Sequence, residues 1–284
     1  MMIFRQKEQI RAHVLQLRAE NQTVAFVPTM GGLHDGHLSL VKRASEKADH
    51  IVVSIYVNPA QFAAHEDLDD YPRTFEADCA KLDAMGLPVS VYAPLSLYGP
   101  DDATKIVPAG AALPFEGEMR PQFFTGVATV VMKLFSHVPA DMAFFGEKDF
   151  QQLCVIKQMV RDFDLPIEIQ ACPTARDHDG LAQSSRNLYL SHEERLIAPI
   201  LYQSMRDCAA AVSDGMPVPQ ACEAAKASLL TAGFTSVDYI AWCAPDDLTY
   251  VTNVSANSRL LVAAHLGKTR LIDNECFEKL CNAQ

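Results

Sequence analysis

Thr23-Val24-Ala25-Phe26-Val27-Pro28-Thr29-Met30-Gly31-Gly32-Leu33-His34-Asp35-Gly36-His37 is the stretch on which the fold turns. Thr23 to Val27 is a short apolar run of buried-strand character, which Pro28 and the Gly31-Gly32 pair then break. Leu38, Leu40, Val41 and Ala44 resume at helical spacing up to about Ala48. The unit is therefore strand, glycine loop, helix. It recurs outward along the chain: Ile51 to Val57 stops at Asn58-Pro59, Val89 to Ala93 follows, Met142 to Phe145 stops at Gly146, and Ile167 to Ala171 is a further strand. Helical patterns at Ile10, Val14 and Leu17, at Phe75 to Met85 and at Val127 to Phe135 lie between them. Short strands that are apolar throughout and alternate with helices predict an α/β, Rossmann-like parallel sheet covered on both faces.

Beyond Ala171 the pattern changes. Glu193 to Val212 and Pro219 to Leu230 predict two successive helices, and Val237 to Trp242 and Leu260 to Leu266 predict strands, a smaller C-terminal α+β domain. The polar Pro173 to Asp179 stretch is the expected boundary, giving domains 1–174 and 175–284. With 284 residues, 49% apolar and 21% charged, the chain is long enough for two cores. Lys and Arg total 24 against 35 Asp and Glu, a net charge of −11, so neither nucleic acid nor an anionic membrane surface is an expected partner. No apolar run approaches a membrane span, and the N-terminus lacks the pattern of a signal peptide. The eight cysteines stand singly with no C-x-x-C pair. A soluble cytoplasmic protein with reduced thiols is expected.

Four segments carry chemistry. In Met30 to His37 the glycines clear space for a phosphate at the start of a helix, and His34 and His37, three apart, face one side and can stabilise phosphate charge. By itself the segment suits a nucleotide, half of a zinc site, or a plain glycine loop with two surface histidines. Val57-Asn58-Pro59-Ala60-Gln61-Phe62 brings two amides to the next strand end, where Asn-Pro is also an ordinary turn. Phe145-Gly146-Glu147-Lys148-Asp149-Phe150-Gln151-Gln152 offers Lys148 to phosphate, Asp149 to ribose hydroxyls and Gln152 one turn on, or else is a solvated helix start. Gln183-Ser184-Ser185-Arg186-Asn187 supplies two hydroxyls and a guanidinium for a phosphate chain, or a capping turn.

In this order and spacing the segments, with Tyr71-Pro72-Arg73-Thr74, Arg120-Pro121 and Gly126-Val127-Ala128-Thr129-Val130-Val131, resemble the pantoate-beta-alanine ligases of the H-x-G-H nucleotidyltransferase superfamily. That resemblance implies ATP-dependent joining of (R)-pantoate and β-alanine into pantothenate through a pantoyl adenylate, with magnesium accompanying ATP, no metal held by the protein itself, and a homodimer. It implies that His34, His37, Lys148, Ser184, Ser185 and Arg186 are catalytic. It places ATP along Met30, Gly31, Gly32, Leu33, His34, Asp35, Gly36 and His37, along Gly146, Glu147, Lys148 and Asp149, and at Ala175 and Gln183 to Arg186. Pantoate falls to Gln61 and Gln152, with Asn58 nearby. The chain departs from the family at Phe123 and Thr125, where a His and an Arg are usual, so a basic contact is expected to be missing; Gln183 and Ala175 also differ. The apolar Val127 to Phe135 stretch is a candidate interface.

Overall fold

The computed structural model describes residues 1–63 and 66–282. The chain forms two compact units: Met1–Glu147 with Gln152–Pro173, and Lys148–Gln151 with the chain from Thr174 onward.

The elements up to Cys172 are β1 (Met2–Phe4), α1 (Lys7–Ala19), β2 (Val24–Thr29), α2 (Asp35–Ser45), β3 (His50–Ile55), α3 (Phe75–Ala84), β4 (Val89–Tyr92), α4 (Glu116–Met119), α5 (Phe123–His137), β5 (Met142–Gly146), α6 (Phe150–Asp162) and β6 (Glu168–Cys172). Among the described residues the strands form one parallel sheet in the order β1-β4-β3-β2-β5-β6. The winding reverses between the neighbours β2 and β5, and the crevice at the carboxyl ends of such a pair is where open α/β sheets bind ligands.

Alternating residues of β2 explain the two covered faces. Ala25 and Val27 share a buried cluster with Leu40 and Val41 of α2, Leu82 of α3, and Val53, Val91 and Phe144. Phe26 turns to the other face, where its ring meets Phe135 of α5 edge-on at 6.3 Å. Val127 to Phe135, the expected interface, lies instead mostly inside this unit: Val127, Ala128, Thr129, Val130, Val131, Leu134 and Phe135 are all buried. Burying a large side chain of this kind contributes about 1.5–3 kcal/mol, which favours the monomer's own core as its place. Helix α5 also approaches the loop after β3 so closely that a Cβ on Gly126 would stand 2.2 Å from the Ala60 carbonyl oxygen, so only glycine fits there.

Pro28 does not end its strand as the sequence suggests. It pairs with Ser54 in the parallel register, while β2 pairs with β5 only through Ala25 and Phe26, so the missing N–H removes no ladder bond on that side. β1, three residues long with Met2 and Ile3 exposed, is too short to read from its pattern.

The second unit contains α7 (His192–Ile197), α8 (Ile200–Ser213), α9 (Val218–Ala232), β7 (Ser236–Cys243), β8 (Arg259–Leu266), β9 (Thr269–Cys276) and α10 (Phe277–Asn282). β7, β8 and β9 make an antiparallel sheet in chain order. The single helix expected over Glu193 to Val212 is two helices, because Pro199 cannot donate a backbone hydrogen bond and the chain breaks around it. Leu201, Met205, Ala221, Leu229, Trp242, Leu260 and Val262 form the buried core of this unit. β9 escapes the sequence reading because its last residues are polar. Asp273, Asn274 and Glu275 are nevertheless all buried.

Candidate active site

The loop after β2 is closed from below. Asp78 of α3, fully buried, accepts the backbone N–H of Gly32 and of Leu33, each at 2.9 Å, and the Thr74 hydroxyl at 3.1 Å. Gly31 N–H turns back to the Thr29 hydroxyl at 3.2 Å. Gly31 sits at φ +87°, and a Cβ there would meet Asp78 Oδ2 at 3.2 Å, so the left-handed turn and the buried carboxylate both call for glycine. The loop N–H groups that the sequence offers to phosphate are therefore engaged inside the fold. Leu33, expected along the nucleotide, has its side chain in the core and its carbonyl oxygen bonded to Lys81. Asp78 carries no motif, and only its place in a buried helix turn beside the loop reveals it.

His34 and His37 form their own helix cap. His34 Nδ1 accepts the Gly36 N–H at 3.2 Å, and His37 Nδ1 accepts the His34 N–H at 3.4 Å. An imidazole whose Nδ1 accepts a hydrogen bond carries its neutral-state proton on Nε2. Both rings are thereby set as Nε2–H donors, 4.1 Å apart between centroids, at the positive end of α2. Both Nδ1 atoms are engaged in this cap. Asp35, exposed, begins the helix beside them.

Asn58 is 1% exposed, and its amide is used entirely within the protein. It donates to Gln61 Oε1 at 2.9 Å and to the Gly126 carbonyl at 3.2 Å, and accepts from the Tyr98 hydroxyl at 3.0 Å. Burial pushes the Tyr98 phenol up to about 12, so it keeps the proton it donates. Asn58 therefore orients Gln61 by holding its carbonyl oxygen, which leaves the Gln61 amide N–H groups as the end available to an anion. Arg120 supports the same turn: it is bidentate to Glu66, 2.6 Å to each oxygen, and donates to the Gln61 carbonyl at 3.0 Å. Phe123, at one of the two departures from the family pattern, lies under this guanidinium at 3.8 Å. The aromatic ring that replaces a basic side chain thus braces Arg120.

After β5, Gly146 and Glu147 end the first stretch of the first unit, and Lys148 to Gln151 belong to the second. Lys148 Nζ stands 3.6 Å from Asp149. Its backbone carbonyl accepts the Asn274 side-chain amide at 2.7 Å. Gln152, half-buried on the first turn of α6, returns to the first unit.

The Gln183-Ser184-Ser185-Arg186 segment follows a small hairpin in which Arg176 pairs with Ala182, and Ala175 O accepts the Gln183 N–H at 2.9 Å. The Gln183 amide donates to Asp177 at 3.0 Å, and its buried Oε1 has no hydrogen-bond partner. Ser184 Oγ accepts the Arg186 N–H at 3.3 Å, capping a short helical turn; Ser185 is buried beside it. Arg176 fastens the hairpin, bidentate to Asp273 at 2.6 and 2.9 Å and stacked 3.7 Å over Tyr202. Complete burial pushes the Asp273 carboxyl up, and Arg176 opposes that shift.

Comparison with known proteins identifies the relatives of this chain. A family model described as pantoate-beta-alanine ligase matches residues 2–276. A pantothenate synthetase of Caulobacter vibrioides is 50% identical over 277 residues, 96% of this chain and 97% of that one. The crystal structure of pantothenate synthetase from Thermus thermophilus superposes with a TM-score of 0.91 at 40% identity, covering 98% of this chain and 99% of its own. Pantoate-beta-alanine ligase from Francisella tularensis, complexed with beta-gamma ATP and beta-alanine, gives 0.82 at 33% identity, with 98% of each chain covered.

Proposed function

The chain belongs to the pantoate-beta-alanine ligase family, and from that premise we propose how its residues divide the work. The overall reaction is the ATP-dependent condensation of (R)-pantoate with β-alanine to pantothenate. In our reading it proceeds in two displacements. A carboxylate oxygen of pantoate attacks the α-phosphorus of ATP and pyrophosphate leaves, giving pantoyl adenylate. The amine of β-alanine then attacks the acyl carbon, loses a proton, and AMP leaves. A carboxylate is a poor acyl donor; AMP is the better leaving group that makes the second step possible.

His34 and His37 donate Nε2–H to the phosphate oxygens as charge builds on them, and the observation that carries this assignment is their mutual cap, which sets both tautomers before any ligand arrives. Lys148, Ser184, Ser185 and Arg186 meet the triphosphate, Asp149 the ribose, and the backbone of Ala175 the adenine. Met30, Gly31, Gly32, Asp35, Gly36, Gly146, Glu147 and Gln183 complete the nucleotide contacts, chiefly by shape, since several of their polar groups are engaged within the fold, while Leu33 serves from the core beneath them. Gln61 and Gln152 hold pantoate, and Asn58 serves by orienting Gln61. Residues 1–174 carry the pantoate contacts and most of the nucleotide contacts, and residues 175–284 add those of Ala175 and of Gln183 to Arg186. Magnesium would accompany the ATP phosphates, ligated chiefly by their oxygens and water.

We further propose a cytoplasmic homodimer. No helix among the described residues is long and apolar enough to cross a membrane, and Leu95, Val107 and Leu113 leave apolar surface exposed between β4 and α4. The decisive experiment is exchange of labelled pyrophosphate into ATP. Exchange that needs pantoate but not β-alanine, together with AMP release that needs both, is the expected result. AMP release without any exchange would overturn the two-step scheme.

A further inference from the structure

The last residues of β9 form a buried polar strip, which is destabilising unless every group is paired. Asp273, Asn274 and Glu275 are 3%, 4% and 8% exposed. Each has a partner that leads elsewhere in the second unit. The Asn274 amide is used at both ends: Nδ2 donates to the Lys148 carbonyl at 2.7 Å, and Oδ1 accepts Arg259 Nη1 at 2.9 Å. Arg259, itself 5% exposed, stacks 3.8 Å from the ring centroid of Phe150, two residues past Lys148, and reaches Glu275 at 3.7 Å. Asp273 takes the bidentate Arg176 of the hairpin that leads into Ser184, Ser185 and Arg186.

Neighbouring residues of one strand thus hold the two chain segments that carry the phosphate-binding side chains. A lysine on a flexible four-carbon stem is a mobile charge, so its catalytic value depends on how well its backbone is fixed. We propose that Asn274 and Arg259 are positioning residues for Lys148, gripping its carbonyl and the following ring, while Asp273 with Arg176 sets the serine and arginine segment from the same strip. This rests on the role assigned to Lys148 above. None of these β9 and β8 side chains need touch substrate. They act by keeping the lysine backbone in register with the hairpin.

The test uses the full-length enzyme with Asn274→Leu, which removes both amide bonds, and Asn274→Asp, which keeps an acceptor for Arg259 and puts a carboxyl oxygen in place of the donor to Lys148. Pyrophosphate exchange dependent on pantoate is compared with single-turnover reaction of β-alanine with supplied pantoyl adenylate. The expected result is exchange slowed by about 100-fold in both variants, as for a reacting group misplaced by an ångström, with the amine step within twofold of wild type. In a Lys148→Ala background neither Asn274 variant slows exchange further, because the group they position is gone. Equal slowing of both half-reactions, or full additivity with Lys148→Ala, would overturn the proposal, as would wild-type exchange in a folded Asn274→Asp. If Lys148→Ala itself exchanges normally, the assigned role of Lys148 fails first. Circular dichroism and melting temperature identify a variant that has not folded, and the Asn274→Asp arm then decides.

Discussion

The two loops that leave the sheet after β2 and after β5 are held in opposite ways. The first is closed by neighbours: Thr29 and Asp78 take its N–H groups, and its two histidines cap the helix they begin. The second passes into another unit, where Lys148 is gripped through Asn274, 126 residues away in sequence. Both use a glycine at the end of a parallel strand, and both are assigned to phosphate. A reactive side chain is thus a local property of sequence, whereas its stiffness comes from wherever the fold can bury a polar partner.

The sharpest way to break this comparison is to remove the reactive groups themselves. His37→Ala and Lys148→Ala are each expected to slow pyrophosphate exchange by roughly 100-fold or more while leaving circular dichroism unchanged, the scale seen when one donor to a developing oxyanion is lost. Near-normal exchange in either would mean that the two loops do not share a task. Next in size is Asp78→Ala, which strands two buried N–H groups. Chemical denaturation should report a loss of about 3 kcal/mol, in the range for hydrogen bonds to a buried charged group. Retained stability and activity would show that the first loop is not held from below.

A smaller effect is expected from Asn58→Ala. Gln61 loses the donor that fixes its amide, so KM for pantoate should rise about tenfold, equivalent to about 1.4 kcal/mol, while KM for ATP stays within twofold. An equal rise in both would count against a role confined to pantoate. The smallest effect concerns pH and compares the two units directly. Burial lowers His13, His50 and His137 of the first unit below the ordinary 6.5. The unfolded chain therefore takes up these protons first, and the stability they contribute is present above pH 6.5 and lost as pH falls through their folded values. In the second unit Asp179 is lowered from 3.8 chiefly by its hydrogen bond from Arg195, so its contribution persists until pH falls below that value. Amide protection, corrected for the intrinsic exchange rate at each pH, should fall between pH 7 and 5 in β3 and β4 and not in β8. A uniform fall would erase the distinction.

Phe123 shows what structure adds to a departure from a family pattern. From sequence it removes a basic side chain, and in the fold its ring lies against Arg120, which is held by Glu66 and supports the Gln61 backbone. Asn58 teaches the converse lesson. Its type and place suggest a hand on substrate, but burial turns it into the support of Gln61, the residue our proposal assigns to pantoate.

From sequence alone come the parallel sheet, the loops at its strand ends, and the residues whose chemistry suits an ATP-dependent ligase. Strand periodicity, glycine breaks and helix starts depend on near neighbours, and His34, His37 and Lys148 declare their chemistry by type. Tertiary structure alone decided what Asp78, Asn58, Arg259 and the polar end of β9 are for. A carboxylate or an amide reads as surface in any sequence pattern, and becomes a support only when the fold strips its water and supplies a distant partner, as Asp78 does for Gly32 and Leu33 and Asn274 for Lys148.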